Sequence, residues 1–168
     1  DIQSSLEKEE AIIGWLDVKD EHLVYLLTFD GAVKIFSLPH SPLDSISDNY
    51  RKMLSNSNTS IEQVREISNQ IYSTRLKPLR NIIKNYKHLY FILSGPTIGI
   101  PIETIVSDDG DYFLQNYDVV YIPSASVLTW IRRLSKTNPT PYLFALADPP
   151  FCKLHAKQIQ NELKSNEF

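Results

Sequence analysis

By type, the residues of this chain best suited to chemistry are its single cysteine, Cys152, and its four histidines, His22, His40, His88 and His155. Cys152 lies three residues before His155, and a nucleophilic thiol needs an imidazole beside it to hold the thiolate. Such pairs are usually neighbours in space rather than in sequence, and on a helix positions i and i+3 merely share a face. The pair therefore reads as a loop cysteine and a surface histidine. His22, His40 and His88 fall at a turn, a loop and a strand entrance, with no second histidine or acid at metal-ligand spacing, and read as partly exposed structural residues. The stretch SGPTIG, residues 94–99, suggests a phosphate loop but lacks the Gly-Lys-Ser/Thr ending and the GxGxxG spacing. Asp148 precedes two prolines and suits a carboxylate that accepts amide hydrogen bonds from the following turn. Asp108, Asp109 and Asp111 have one glycine among them and no downstream glutamate, which fits a solvated hairpin tip better than a calcium loop. Read by themselves, the residues present no catalytic set, no cofactor site and no metal site.

The elements that must position these residues are clearer. Three apolar segments, LYFIL, DVVYI and YLFALA, are each followed at once by a breaker, SGPTIGIP, PSAS and DPPF. Their length and their Val, Ile, Tyr and Phe content predict strands buried on both faces of a parallel sheet. Ligand sites of such sheets form beyond the carboxyl ends of the strands. Upstream, residues 11–38 predict an antiparallel meander parted by the polar turn KDE and by Asp30-Gly31, with Trp15, Tyr25, Leu27, Val33 and Ile35 buried. A helix is predicted from Leu43 to Leu54, carrying Leu43, Ile46, Tyr50, Met53 and Leu54 on one face. A second follows, capped by Thr59 or Ser60, with Ile61, Val64, Ile67 and Ile71 at helical spacing. Pro78 opens a third with Leu79, Ile82 and Ile83, IETIV is a short helical turn or a strand, and Ser124 or Ser126 caps a helix that turns Val127, Trp130, Ile131 and Leu134 inward. A polar helix is predicted from about Leu154.

A chain of 168 residues suits one domain with a proper core and has room for a small appended subdomain. Seventeen basic against 20 acidic residues, net charge -3, leave no basic stripe for a phosphate backbone, so direct nucleic-acid contact is not expected. One cysteine excludes an internal disulfide and fits a reducing, cytoplasmic compartment. No apolar run has the length of a membrane span and the charged start DIQSSLEKEE is no signal peptide, so no membrane association is expected. A first residue Asp1 and a lone methionine at Met53 are what a piece of a larger protein would show.

The order of segments resembles the N-terminal portion of a CHAT domain, the caspase-like module named for its association with HetF and tetratricopeptide repeats. EEAIIGWLDVKDEHLVYLLTFDGAVKIFSL looks like the opening meander of that family, and IYSTRLKPLRNIIKNYKHLYFILSGPTIGIPIETI like its central block, with a Pro-hydrophobic-Glu-hydrophobic signature at Pro101, Ile102, Glu103 and Ile105. DVVYIPSASVLTWI is similar to the Tyr-x-Pro-Ser-x-Ser segment, here Tyr121, Pro123, Ser124 and Ser126, and YLFALADPPF to the strand ending in Gly-Asp-Pro, with Ala147 where glycine is usual. Ser94 stands where the family commonly has an acidic or proline-rich turn.

The resemblance implies an α/β fold in which a meander and helices, residues 1–87, lead into the first strands and helices of a mainly parallel, caspase-like three-layer sandwich, residues 88–168. It implies a cysteine peptidase whose histidine acts as general base while backbone amides stabilise the oxyanion. The family's His-Gly and catalytic cysteine lie on strands beyond the Asp-Pro loop, so Cys152 is misplaced for the nucleophile and the chain would supply sheet strands and a cleft wall. The implied partners are a protein substrate and a regulatory protein or repeat domain, in bacterial signalling or defence and including CRISPR-associated peptidases. Two alternatives stand beside it: a CHAT-like module that has lost its dyad and serves interaction, and an unrelated nucleotide-binding α/β domain, against which the missing glycine fingerprint argues.

Overall fold

A computed structural model describes residues 2–18, 21–31, 33–39 and 41–137. The predicted third strand at 142–147, Asp148, Cys152, His155, the polar helix and His40 lie outside the described residues. Strands β1 (Glu10–Val18), β2 (Glu21–Thr28) and β3 (Lys34–Ser37) form the expected meander. Helices α1 (Leu43–Leu54) and α2 (Ile61–Ile71) follow. A π-helical turn at Tyr72–Leu76 and a 3-10 turn at Lys77–Leu79 lead into the short α3 (Arg80–Ile83). Strands β4 (His88–Ile92) and β5 (Asp118–Tyr121) and helix α4 (Ala125–Thr137) complete the described chain.

The described strands form one sheet in the order β3-β2-β1-β4-β5. β2 pairs antiparallel with both β1 and β3, whereas β4 lies parallel to both β1 and β5. No α-helix connects β4 to β5; three 3-10 turns, at Gly95–Thr97, Ile102–Thr104 and Phe113–Gln115, fill that connection, and IETIV supplies the middle one. The architecture is the mixed α/β layering expected: α1, α2 and the Leu76–Ile83 segment cover one face of the sheet, and α4 covers the other.

The helix boundaries follow from local signals. Ser60 caps α2 by accepting the Gln63 amide, and the Gln63 side chain returns to the Ser60 amide. That reciprocal pair satisfies two otherwise unpaired donors. Ser124, rather than Ser126, caps α4 through its bond from the Val127 amide.

Several predicted core positions are corrected. Trp15 is buried, but Tyr25 and Leu27 are only half-buried and Val33 and Ile35 are exposed, Ile35 at 60%. The reason is register: Trp15 pairs with Val24 and Ile13 with Leu26, so in an antiparallel pair Val24 and Leu26 share the face of Trp15 and Tyr25 must take the other. β1 is buried on both faces, at Ala11, Ile12, Ile13 and Trp15. β5 is largely exposed rather than doubly buried. Leu54 and Ile61, at helix ends, are exposed, and on α4 it is Leu128 and Thr129 that are buried while Trp130, Ile131 and Leu134 are exposed. The face of α4 that meets the sheet packs Leu128 and Ala125 beside Leu6, Ile12 and Ile122 and adds a polar lock.

That lock is Arg132 on Glu10. Arg132 makes two bonds to the carboxylate, at 2.6 and 2.7 Å, donates to the Tyr90 hydroxyl at 2.8 Å, and lies 5.3 Å from the centre of the Tyr90 ring. A bidentate guanidinium–carboxylate pair has both charge and fixed geometry. Burial works to raise the Glu10 carboxyl, but Arg132, the Glu7 amide and Tyr90 outweigh it and hold it below the usual carboxylate value of 4.5. A carboxyl depressed on folding contributes stability that is present above its unfolded value and lost as pH falls through the folded one. Glu10→Gln is therefore expected to lower stability at pH 7 and to flatten the acid limb of a urea-midpoint profile below about pH 4.5; an acid limb identical to that of the parent protein would show that the lock is not the titrating unit.

Candidate cleft at the carboxyl end of the sheet

β1, β4 and β5 run the same way, so their carboxyl ends share one rim of the sheet. At the end of β4 the chain turns through Gly95 and Gly99, whose φ values of 51° and 75° place them in the left-handed region that glycine adopts without strain. The Ser94 hydroxyl donates to the Trp15 carbonyl and so joins this turn to β1. Arg51 of α1 donates to the carbonyls of Pro96 and Ile98 and holds the turn from the helical side. The amides of Thr97, Ile98 and Ile100 are all spent on carbonyls within the loop. SGPTIG is therefore no phosphate cradle, in agreement with its missing fingerprint.

The following segment is hung from three elements. Tyr50 of α1 bonds the Thr104 hydroxyl at 2.7 Å, the Val106 amide donates to Ser68 of α2 at 2.7 Å, and the Ile102 amide donates to the hydroxyl of Tyr121, the last residue of β5, at 2.7 Å. Tyr121 in turn donates to the Glu103 carboxylate. Burial, followed by that carboxylate, pushes the Tyr121 hydroxyl far above the ordinary phenol range, so it acts as a donor at any physiological pH. Between these parts lies an open groove of about 270 Å3, bounded by Leu93, Gly99, Ile100, Pro101, Glu103 and Tyr121. An apolar trough with one carboxylate and one phenol on its wall can seat an extended peptide or a side chain, with the polar pair fixing orientation.

A second cluster ends β1. Asp17 accepts from Arg75 at 2.8 Å and lies 2.6 Å from Nδ1 of His22, which stands opposite it in the β1–β2 register. Arg75, delivered by the π-helical turn, is 1% exposed. Among the described residues, Asp17 Oδ2 and Arg75 Nε and Nη1 have no hydrogen-bond partner. A buried, partly satisfied ion pair is costly to form and contributes specificity of arrangement more readily than stability.

The structure places His22 within β2 with an acid across the strand pair, a correction to the turn position without an acidic neighbour. An antiparallel hairpin centred on residues 19–20 would itself have put position 17 opposite 22, so pairing arithmetic was the available signal. His88 does open β4, and its Nδ1 lies 2.9 Å from Asp118 of β5 across the parallel pair. Asp108, Asp109 and Asp111 form the hairpin tip expected, with Gly110 at φ 88° and ion pairs from Lys77 to Asp108 and from Arg80 to Asp109. Among the described residues no group of three or more His, Cys, Asp or Glu could hold a metal ion, and no helix is long and apolar enough to cross a membrane. Of the motif residues, Glu103 and Tyr121 meet at the groove, Ser124 caps α4, and Pro101, Ile102 and Ile105 build the loop between them. Arg75 carried no local signal, because burial of a helical arginine is decided by the layer it packs on.

The chain matches the family model described as CHAT domain over residues 65–165, more than half of its length. No curated protein matches it.

Proposed function

The chain belongs to the CHAT domain family, a caspase-like peptidase family, and from that premise we propose that it forms one wall of the substrate cleft of a cysteine peptidase domain. The observation that supports this most directly is the groove between the ends of β4 and β5, built from the two family motifs that carry Glu103 and Tyr121. In this reading a thiolate activated by histidine attacks the peptide carbonyl and backbone amides hold the oxyanion. Those groups belong to strands beyond the Asp-Pro loop, and Cys152 is not the nucleophile. This chain's part is positional: it seats the extended substrate along the rim so that the scissile bond meets the thiolate. Activation by a partner or by an attached tetratricopeptide array, and a place in bacterial signalling or defence, CRISPR-associated systems included, complete the proposal.

The test uses the natural full-length protein with its activating partner. Leu93→Trp, which crowds the groove, is expected to lower kcat/KM for peptide cleavage about tenfold or more while leaving the thermal midpoint close to that of the parent. Cleavage that proceeds unchanged in Leu93→Trp would remove the groove from the cleft. A full-length protein that cleaves nothing but still binds its partner would favour the interaction module without a dyad.

A further inference from the structure

One wall of the groove is held by a side chain that does not border it. We infer that Arg51 of α1 is a positioning residue for the cleft, setting the place of the wall at Gly99 and so how tightly an extended substrate is held. The inference rests on the proposed function, because it gives Arg51 a part at that same site.

The segment from Gly95 to Ile100 is tied to the fold at both of its ends. Before it, the Ser94 hydroxyl donates to the Trp15 carbonyl, and at its far end Ile100 is buried in the main core. Between those ends the amides of Thr97 and Ile98 turn back on the carbonyls of Ser94 and Gly95. Ile98 is 60% exposed, so its side chain adds no packing to hold the middle. Among the described residues, the hydrogen bonds that reach the middle from outside come from Arg51. Its Nη1 donates to the Ile98 carbonyl at 2.5 Å and reaches the Pro96 carbonyl at 3.4 Å, while Nη2 is paired with Asp48 one turn earlier on the helix. A guanidinium shared among three oxygens is fixed in direction as well as in place.

Gly99 joins this support to the groove. It lines the groove, whereas Arg51 does not, and a Cβ built on Gly99 would lie 3.4 Å from Cδ of Arg51. The arginine stem thus packs against the backbone that forms the wall. A displacement of about 1 Å in a surface that positions substrate has a large effect on turnover. The other bonds that hang the following segment come from Tyr50 and Ser68, which are fully buried, but the Arg51 side chain is 35% exposed. This support, unlike those, lies within reach of a partner on the surface of α1.

The experiment compares Arg51→Met, Arg51→Lys and Leu93→Trp in the natural full-length protein with its activating partner. Arg51→Met keeps an unbranched stem beside Gly99 and removes the donors. It is expected to raise KM for peptide cleavage about three- to tenfold, the worth of a partly exposed hydrogen bond. Because the wall meets ground and transition states alike, kcat should stay within about twofold. Arg51→Lys, a cationic donor on a long stem, should recover part of the loss. Hydrogen exchange at the Thr97, Ile98 and Ile100 amides should quicken in Arg51→Met while the thermal midpoint stays close to that of the parent, which marks local loosening. The inference is overturned if Arg51→Met matches the parent in KM while Leu93→Trp lowers kcat/KM, an outcome that leaves the cleft reading intact. A lowered thermal midpoint with unchanged KM also overturns it, since that marks a structural role alone. If Leu93→Trp cleaves as the parent does, the cleft reading falls and this inference falls with it.

Discussion

Asp17→Ala is expected to destabilise the domain by about 3–5 kcal/mol, measured as a fall in the urea midpoint at unchanged slope. The substitution removes one small carboxylate, but it leaves Arg75, at 1% exposure, without the carboxylate that its guanidinium bonds. An unpaired buried guanidinium has neither water nor an anion to replace the hydration lost on folding. Asp17 also lies 2.6 Å from Nδ1 of His22, so the same change removes that contact across the β1–β2 pair. The double variant Asp17→Ala/Arg75→Met should recover much of the loss, since an apolar side chain of similar length needs no partner. A single-variant loss below about 1 kcal/mol would mean that Arg75 reaches water and that the pair is not a buried one.

Trp15→Ala is expected to cost about 3–5 kcal/mol, a thermal midpoint lower by roughly 6–20 °C for a domain of this size. Trp15 is stacked on Phe91 of β4, centroids 5.6 Å apart and planes within 11°, and Phe91 meets Phe113 edge-on at 6.1 Å. The indole thus joins the meander to the parallel half of the sheet and to the connection between β4 and β5. Its loss leaves a void where β1 and β4 pair, and neither strand can close on it without breaking the ladder from Glu10 to Gly14. The contrast is Ile35→Ser on β3, where the side chain is 60% exposed and the change should stay within about 0.5 kcal/mol. Equal losses at Trp15 and Ile35 would contradict the register that separates them.

These two predictions mark the boundary between local and tertiary information. The amino-acid order by itself determined the elements: the bounds of α1, a cap of α2 at Thr59 or Ser60, the hairpin tip at Gly110 and the meander are all where periodicity and turn chemistry place them. It also determined the family, because motifs around Pro101, Glu103, Tyr121 and Pro123 are short, ordered words that survive without any knowledge of contacts. What the tertiary structure decided is which face of each element is inside. The β2 sequence HLVYLLT is apolar on both faces, so only pairing with β1 and cover by the helical layer could select Val24 and Leu26 over Tyr25 and Leu27. On α4 the side that meets the sheet carries Leu128, Ala125 and Arg132, the last in a bidentate bond to Glu10, while Trp130, Ile131 and Leu134 are exposed. The groove at Glu103 and Tyr121, and Arg75 buried over Asp17, are meetings of residues 18 and 58 positions apart. No local propensity encodes such a meeting; it exists only once the sheet order and its covering layers are set.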